Sequence, residues 1–345
     1  MSINLQQSML EEIEVELKRQ VARLDQARTK PFHEMLTYHM GWTGEGAGSQ
    51  ATGKRIRPLI TLLSVYSVDG KDKGKSIEVN WLHAVSAAAA IELVHNFSLV
   101  HDDIQDNSEY RRGRKTAWVK WGAPMAINAG DALFVIANQS VLDLKTHYPA
   151  EMVVRAAGIL NDICLQLTQG QYMDMSYEER TDLSMEDYWP MIGGKTSALL
   201  SACTQIGALL GYANEEKVEL YRQFGYTLGL AFQVQDDILG IWGDESVTGK
   251  SAASDLVEGK NSLPVLYALE KNGDFAKRWR QGPIPQAEVG AAAVMLENEG
   301  GKSYAEKMSA ELTQKALGYL NQADPQGEAG EAIRGLANML LKRKQ

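Results

Sequence analysis

Acidic side chains are concentrated in one short stretch of an otherwise apolar segment. The sequence Leu99-Val-His-Asp-Asp-Ile-Gln-Asp106 contains Asp102, Asp103 and Asp106. On a helix, residues four apart share a face, so Asp102 and Asp106 project together, with Asp103 beside them. Carboxylates crowded within one turn repel one another unless a cation lies between them. Mg²⁺ suits such a set, because it binds through one or two carboxylates together with substrate phosphates.

A second pair of aspartates has a similar setting further along the chain. Asp236 and Asp237 occur in Phe232-Gln-Val-Gln-Asp-Asp-Ile-Leu-Gly240, again among apolar residues. A solvated acidic helix end would explain one such cluster, but two clusters in apolar surroundings are poorly explained as surface. The pattern therefore predicts two sides of one cavity that hold metal ions.

Basic residues follow a glycine-rich stretch at 43–53. Lys54 and Arg57, at the start of a predicted helix, could bind a diphosphate, with Arg57 using its bidentate fork. The spacing Gly-x-x-x-x-Gly-Lys imitates a nucleotide-binding P-loop, but Arg55 replaces the required Ser or Thr and no strand precedes it. We reject the nucleotide interpretation. Further candidate cations are Arg111, Arg112, Arg114, Lys195, Lys250 and Lys260.

Helical periodicity predicts the elements that position these residues. Met9, Ile13, Leu17 and Val21 recur four apart with charged residues between them, as in an amphipathic helix. Prolines fall between periodic segments, and alternating β-branched runs are scarce. No repeat at a solenoid period occurs, and no linker separates two halves. The sequence predicts one all-α domain, a bundle of about ten or more helices around a central cavity.

This predicted domain spans 1–345 as a single unit. We expect an N-terminal helix over 1–30, a mobile glycine-rich loop over 43–53 and a basic C-terminal end over 335–345.

Composition excludes several classes of function. The chain has 345 residues with 35 Lys and Arg against 44 Asp and Glu, a net charge of −9. This balance argues against nucleic acid as a partner, because no broad positive field attracts phosphates. The 2 cysteines cannot form a disulfide framework. The start lacks a secretory signal, and the most apolar stretch, Ala84–Val94, is too short to span a membrane. We expect a cytoplasmic protein without a membrane span.

Short motifs in a fixed order resemble those of the all-trans isoprenyl (polyprenyl) diphosphate synthases, from about Lys54 to the C-terminal region. They are Gly53-Lys-x-x-Arg-Pro58, Glu92-Leu-Val-His95, Asp102-Asp-x-x-Asp106, Arg111-Arg-Gly113, Gly130-Asp131, Gln169-Gly-Gln-x-x-Asp174, Gly194-Lys-Thr196 and Gln233-x-x-Asp-Asp237. The resemblance implies the isoprenoid synthase fold and a prenyltransferase that uses Mg²⁺. In that family an allylic diphosphate ionises, the double bond of isopentenyl diphosphate attacks the allylic cation, and a proton is lost.

The resemblance also implies roles for individual residues. The metal ligands would be Asp102, Asp106 and Asp236, which together with Lys195 form the catalytic set. The allylic diphosphate would be surrounded by Arg111, Lys195, Thr196, Gln233, Lys250 and Lys260. Isopentenyl diphosphate would be bound by Lys54, Arg57, His95 and Arg112. Up to about three Mg²⁺ ions are implied with substrate bound, and preorganised cations would stabilise the leaving diphosphate as its charge grows.

The sequence departs from the family pattern at two positions. The second cluster ends in Gly240, where the fuller motif has a third acid, and Asp244 or Asp255 could compensate. Lys115 stands where relatives usually carry proline, which would make that loop less rigid.

Product length depends on the residues just before the first cluster, if the resemblance holds. A bulky side chain there forms the floor of the hydrophobic tunnel, and here these residues are Phe97 and Ser98. Ideal helix geometry turns Phe97 by about 140° from Asp102, so only Ser98 is well aligned and a plain core role for Phe97 remains open. The pattern resembles short-chain synthases, with a geranylgeranyl (C20) product favoured over a farnesyl (C15) one.

Alternatives remain at this point. Glu92 and His95 resemble half of a di-iron site, although no other histidine has a glutamate three residues before it. His95 could also be a neutral core histidine. A terpene synthase on the same scaffold would have no use for an isopentenyl site, and a catalytically silent partner subunit would not need both acidic clusters. The family is typically homodimeric, and we expect the same here.

Overall fold

The structure is a computed structural model that describes residues 2–68, 71–72, 75–178, 180, 182–243 and 253–341. Its helices are α1 (Ser2–Val21), α2 (Lys30–His39), α3 (Ser49–Thr52), α4 (Ile56–Tyr66), α5 (Val85–Gln105), α6 (Ala117–Trp121), α7 (Ala123–Leu142), α8 (Ala150–Tyr177), α9 (Met185–Ile192), α10 (Ala198–Leu210), α11 (Glu215–Trp242), α12 (Ser254–Val257), α13 (Leu263–Lys271), α14 (Asp274–Trp279), α15 (Val289–Asn298), α16 (Gly301–Ala323) and α17 (Gly327–Leu341). Short 3₁₀ turns occur at Ala22–Leu24, Trp81–Ala84 and Asp143–Thr146, and a π-helical turn at Gly193–Ser197.

Helices dominate the described residues, which confirms the predicted all-α class. The predicted N-terminal helix is shorter than expected, because α1 ends at Val21 and a separate helix begins at Lys30. Pro190 was predicted to lie between helices but is inside α9, directly before the π-helical turn.

Two small antiparallel hairpins interrupt the helices. The first pairs β1 (Lys71–Asp72) with β2 (Lys75–Ser76), and the second pairs β3 (Tyr110–Arg111) with β4 (Arg114–Lys115). The loop of the second hairpin is Arg112-Gly113, and both residues have positive φ, 52° and 73°. This is the backbone of a type I′ turn, which closes a two-residue hairpin.

The chain divides into two compact units. The first comprises Met1–Asp162, Ala202–Glu219 and Asp324–Ile333, and the second comprises Ile163–Ser201, Leu220–Ala323 and Arg334–Gln345. The assignment of 1–345 to a single domain stays a prediction.

Helix α5 lies at the centre of the first unit. Its first turns are apolar on every side, and the run Ala87–Val94 is buried throughout. A helix that is apolar all round belongs in a core, and α1, α4 and α7 pack against α5. The predicted apolar stripe of α1 is confirmed, since Met9, Ile13, Leu17 and Val21 are 0% exposed.

The core of the second unit forms around α9, α11, α13 and α16. Tyr188, Ile192, Val234, Ile238 and Leu263 form one buried cluster, which fixes α9 and α13 against α11. The side chain of Tyr188 is fully buried and carries its hydroxyl into this cluster, so that hydroxyl needs a partner inside the protein.

One stretch of the described residues, Ala123–Thr146, is long and apolar enough to cross a membrane by length and composition alone. It is longer than Ala84–Val94, the stretch that the sequence indicated as most apolar. Within its most apolar window 44% of the residues are buried in the protein, and a core helix of a globular protein passes the same test. The part of the chain that the structure describes gives no clear membrane span.

Candidate active site

The first aspartate cluster forms the C-terminal end of α5. Asp106 caps the helix, and its backbone N–H donates to the Asp102 carbonyl at 2.8 Å. Asp103 is 2% exposed, and its Oδ1 accepts from Nε of Arg111 at 2.6 Å. Burial raises the pKa of Asp103 to about 6, although the Arg111 guanidinium opposes this rise. Asp103 is therefore buried and bonded to Arg111, whereas Asp102 is half-exposed and Asp106 exposed.

The second cluster, on α11, repeats this division. Asp237 is 6% exposed and accepts three hydrogen bonds, from the Tyr188 hydroxyl at 2.8 Å, the Leu263 N–H at 2.9 Å and Nε2 of Gln233 at 2.9 Å. Burial raises the pKa of Asp237 to about 6, and the three donors oppose the rise. Asp236, the preceding residue, is half-buried. In both clusters the second aspartate is buried and hydrogen-bonded to other parts of the protein, and the first lies closer to the surface.

The π-helical turn carries Lys195 and Thr196, both predicted ligands of the allylic diphosphate. The Thr196 hydroxyl donates to Oε1 of Gln233 at 2.8 Å, so Thr196 and Asp237 share Gln233 as a partner. The Lys195 ammonium pairs with Asp174 of α8. These contacts bring Lys195, Thr196 and Gln233 together in the second unit.

Two glycines allow α8 to approach this turn. A Cβ built on Gly170 would lie 2.1 Å from the Lys195 backbone nitrogen, and one on Gly194 would lie 2.6 Å from the Gln166 carbonyl oxygen. Only glycine permits such contact between two backbones. Pro190 contributes as well, because its missing N–H and its ring disturb the α-helical ladder just before the turn.

Gly240 leaves room for another acid. A Cβ built on Gly240 would lie 2.0 Å from Oδ2 of Asp255, so the Asp255 carboxylate occupies the space of a side chain at 240. Since Gly240 is four residues after Asp236, that space is on the Asp236 face of α11. Asp255 also pairs with Lys260 at 3.3 Å, and its charge and that of Glu258 raise the pKa of Lys260 against the effect of burial. Compensation by Asp255 stays a prediction; Asp244 lies outside the described residues, as does Lys250.

The first unit gathers the residues predicted for isopentenyl diphosphate. Nη1 of Arg57 donates to Nε2 of His95 at 3.3 Å. Burial, and next to it the Arg57 charge, hold the pKa of His95 well below its ordinary value, so the ring is neutral and able to accept this bond. Lys54 is exposed at the start of the same segment.

The β3–β4 hairpin holds the glycine-rich segment at 43–53, which was predicted to be a loop throughout but contains the short helix α3. Nη1 of Arg112 donates to the Ala51 carbonyl at 2.8 Å, and Gly53 packs against the Arg112 guanidinium. Arg114 donates to three carbonyls, those of Tyr38, Thr43 and Glu45, at 2.8, 2.6 and 2.9 Å. The mobility of this segment stays a prediction, and its contacts with the hairpin are hydrogen bonds from Arg112 and Arg114 to backbone carbonyls.

Phe97 and Ser98 differ in their surroundings, as helix geometry suggested. The Phe97 ring is 9% exposed and packs on Phe134 of α7, with centroids 5.2 Å apart, and edge-on to His101 at 5.8 Å. Ser98 is half-buried, and its hydroxyl donates to the His95 carbonyl at 2.9 Å. Phe97 is thus packed between α5 and α7, while Ser98 shares its face of α5 with Asp102.

Glu92 has partners that leave the di-iron interpretation without support. Its Oε1 accepts from Nη1 of Arg55 at 2.8 Å and from Nδ2 of Asn96 at 3.1 Å. The motif Gly130-Asp131 also has a packing role, since a Cβ on Gly130 would lie 2.3 Å from Nε2 of His101. Glycine at this position lets α7 pack closely against α5.

Sequence reasoning missed the partners that position the site. Asp174 ends the motif Gln169-Gly-Gln-x-x-Asp174, but its type and spacing do not indicate that it pairs with Lys195. Tyr188 gave no signal beyond its residue type, and the sequence marked Arg114 as a candidate cation but did not indicate its carbonyl partners. The glycine pair Gly170 and Gly194 stood in motifs whose physical purpose only the close backbone contact explains.

Both aspartate pairs stand on helices, with hydrogen-bond donors gathered around the buried member of each pair. A sequence model of the family described as polyprenyl synthetase matches residues 47–287. The short chain isoprenyl diphosphate synthase of Methanothermobacter thermautotrophicus is 37% identical over 85% of this chain and 87% of its own length. The geranylgeranyl diphosphate synthase of Sulfolobus acidocaldarius is 35% identical over 90% of each chain.

Solved structures agree with these relatives. The geranylgeranyl pyrophosphate synthetase of Pyrococcus horikoshii Ot3 is 30% identical, with a TM-score of 0.85 over 100% of both chains. The chain belongs to the polyprenyl synthetase family. It is a prenyltransferase with the isoprenoid synthase fold.

Proposed function

We propose that this chain condenses isopentenyl diphosphate with allylic diphosphates, namely dimethylallyl, geranyl and farnesyl diphosphate, into a linear all-trans prenyl diphosphate. The observation that carries the proposal is the difference in burial between the two adjacent aspartates of each cluster. Asp103 and Asp237 are buried and hydrogen-bonded, while Asp102 and Asp236 are less buried members of the same pairs. Two such clusters in one chain are what an enzyme needs to hold metal ions against a diphosphate.

The donor set fits Mg²⁺. No group of three or more His, Cys, Asp or Glu side chains lies together in a metal-binding arrangement among the described residues. With Asp102 and Asp106 in the first cluster and Asp236 in the second, each cluster would supply one or two carboxylates, the number that Mg²⁺ takes when phosphate and water complete its shell. Asp102, Asp106 and Asp236 would hold the metal, and Mg²⁺ would supply positive charge to the departing diphosphate.

The cations divide between the two substrates. Arg111, Lys195, Thr196, Gln233, Lys250 and Lys260 would bind the allylic diphosphate. Lys54, Arg57, His95 and Arg112 would bind isopentenyl diphosphate. Fixed cations stabilise the transition state more than the ground state, because the charge on the leaving group grows as the C–O bond breaks.

A product assay tests the proposal. The enzyme is given labelled isopentenyl diphosphate and Mg²⁺ with each allylic diphosphate in turn, and the dephosphorylated products are sized by chromatography. We expect linear alcohols, with C20 as the main length. Hydrocarbon released from farnesyl or geranylgeranyl diphosphate alone would instead identify a terpene synthase, and no turnover of any primer would identify a silent subunit.

Phe97→Ala is expected to lengthen the product by at least one isoprene unit. The ring fills space between α5 and α7 beside Phe134, and its removal would open that space to a longer chain. Truncation also costs about 3–5 kcal/mol if no collapse occurs, so the assay is run well below the unfolding temperature. Phe97→Leu keeps most of the volume and serves as the control. An active Phe97→Ala enzyme with unchanged product length would remove Phe97 from the tunnel floor.

Homodimer formation is proposed through an exposed apolar face of α7. Ile127, Val135 and Leu142 are 47%, 53% and 50% exposed and recur on one side of the helix. Asp131, whose side chain is 63% exposed, lies between Ile127 and Val135 on this side, so the face is apolar with a charge within it, and a self-complementary contact with a second copy would cover its apolar residues. Val135→Lys is expected to convert a dimer into a monomer in light scattering after size-exclusion chromatography, whereas Val294→Lys, an equally exposed valine on α15, should not. A dimer that survives Val135→Lys contradicts this interface.

We propose that the enzyme is located in the cytoplasm.

A further inference from the structure

A buried arginine lies between the two cations proposed for isopentenyl diphosphate. Arg55 is 6% exposed, whereas its neighbour Lys54 is exposed and Arg57 is half-buried. The backbone of Arg55 is left-handed, with φ 48° and ψ 36°. That conformation is unfavourable for a residue with a Cβ, so other interactions must hold it.

Three separate elements hold the Arg55 guanidinium. Nη1 donates to Oε1 of Glu92 on α5 at 2.8 Å, and Nε donates to Oε2 of Glu14 on α1 at 3.2 Å. Nη2 reaches the carbonyl of Met40, which caps α2, at 3.4 Å. A guanidinium presents its five donors in a rigid fork and can serve several acceptors at once, which a lysine ammonium cannot do in the same geometry.

The two carboxylates are themselves fixed. Glu92 is 3% exposed and also accepts from Asn96, while Glu14 accepts from the indole N–H of Trp42. Neither acid is therefore available to a substrate. Together with Arg55 they carry a net charge of one negative unit, and without Arg55 they would add a second negative unit beside an anion-binding segment.

Helix α5 supplies a partner for each arginine of the segment. Glu92 binds Arg55, and His95, one turn later, accepts from Arg57. The Arg55 side chain is buried, and α4 begins at the next residue. The left-handed backbone of Arg55 therefore determines the positions of Lys54 and Arg57 relative to α5.

We propose that Arg55 is a positioning residue that holds Lys54 and Arg57 in place for the diphosphate of isopentenyl diphosphate. This inference rests on the proposed function, and Arg55 does not itself touch substrate. Its loss should weaken binding of isopentenyl diphosphate and leave the allylic diphosphate unaffected, because no predicted allylic ligand contacts Glu14, Arg55 or Glu92 through a described hydrogen bond.

The test compares Arg55→Met and Arg55→Lys with the wild-type enzyme by steady-state kinetics. We expect KM for isopentenyl diphosphate to rise by about tenfold or more in both variants, since neither keeps the guanidinium fork, while KM for the allylic substrate changes by less than about twofold. Arg19→Met is the matched control. Arg19 is an exposed arginine on α1 that pairs with Glu16 and Asp143, and its loss should alter neither KM. An equal rise in both KM values for Arg55→Met would overturn the inference.

A double variant separates positioning from simple stability. Arg55→Met leaves Glu92 as an unpaired buried charge, and adding Glu92→Met removes it. We expect Arg55→Met/Glu92→Met to recover the thermal midpoint while KM for isopentenyl diphosphate stays raised; recovery of both would show a structural role only. If Arg55→Met does not fold, Glu14→Gln is measured in its place, with an expected rise in that KM of about threefold and an overturning result if it is unchanged.

Direct binding distinguishes this inference from the proposed function. Isopentenyl diphosphate is titrated into the wild-type enzyme and Arg55→Met by calorimetry without an allylic substrate. No binding to the wild type would overturn the proposed function, and the inference with it. Equal binding to both proteins would overturn the positioning role alone.

Discussion

Asp236→Asn is expected to lower the rate of condensation by about a thousandfold or more, because a neutral amide removes one of the few carboxylates that hold the metal. Asp102 and Asp236 are the less buried aspartates of the two adjacent pairs, and each cluster has few carboxylates to offer. Asp237 cannot take over, since Tyr188, Leu263 and Gln233 hold it in place. The same substitution at Asp102 should have a comparable effect. The measurement is turnover of labelled isopentenyl diphosphate across a range of Mg²⁺ concentrations.

Binding measurements show whether this loss comes from the metal. Mg²⁺-dependent binding of inorganic diphosphate, followed by calorimetry, should weaken in Asp236→Asn. Asp162→Asn changes an exposed aspartate on α8 and serves as the control, with no expected effect on either quantity. Full activity in Asp236→Asn would exclude this residue as a metal ligand.

Gly170→Ala is expected to lower kcat by about a hundredfold, because a displacement of one ångström at a reacting group has effects of that size. The new Cβ would lie 2.1 Å from the Lys195 nitrogen and 2.6 Å from the Gly194 carbonyl carbon, so the π-helical turn must move. Both contacts are to backbone, and rotation of a side chain cannot relieve them. We also expect the free energy of unfolding to fall by about 1–3 kcal/mol, the usual cost of overpacking.

Gly158→Ala on the same helix provides the control for Gly170→Ala. Nothing lies within 4 Å of a Cβ built at Gly158. Alanine there should raise stability by up to about 1 kcal/mol through its higher helix propensity and leave kcat unchanged. If both variants kept full activity, the close approach of α8 would have no role in placing Lys195.

Local patterns were sufficient to predict the fold class and the residues with charged chemistry. The stripe from Met9 to Val21 is visible in spacing alone, and it is buried as expected. The aspartate pairs stand out because charged residues rarely occur among Val, Ile and Leu. Both features depend on neighbours within two helical turns, which a sequence displays directly.

The rest depends on contacts between residues far apart in the chain. Asp255 fills the space above Gly240, and Asp174 meets Lys195, but no local pattern joins either pair. The division between Asp102 and Asp103 follows from which one α5 turns toward Arg111, and helix phase relative to a hairpin cannot be read from spacing. The separate helix at Lys30 and the position of Pro190 inside α9 show the same limit at element boundaries.

The π-helical turn at Gly193–Ser197 makes this segment sensitive to chain length as well as to composition. Each residue of a helix advances the next side chain by about 100° around the axis, so losing or gaining one residue between α9 and Lys195 would turn Lys195 and Thr196 relative to α9. A conservative substitution preserves that phase and an insertion or deletion does not. Among variants of this enzyme, those with altered side chains in the turn should therefore outnumber those with altered length.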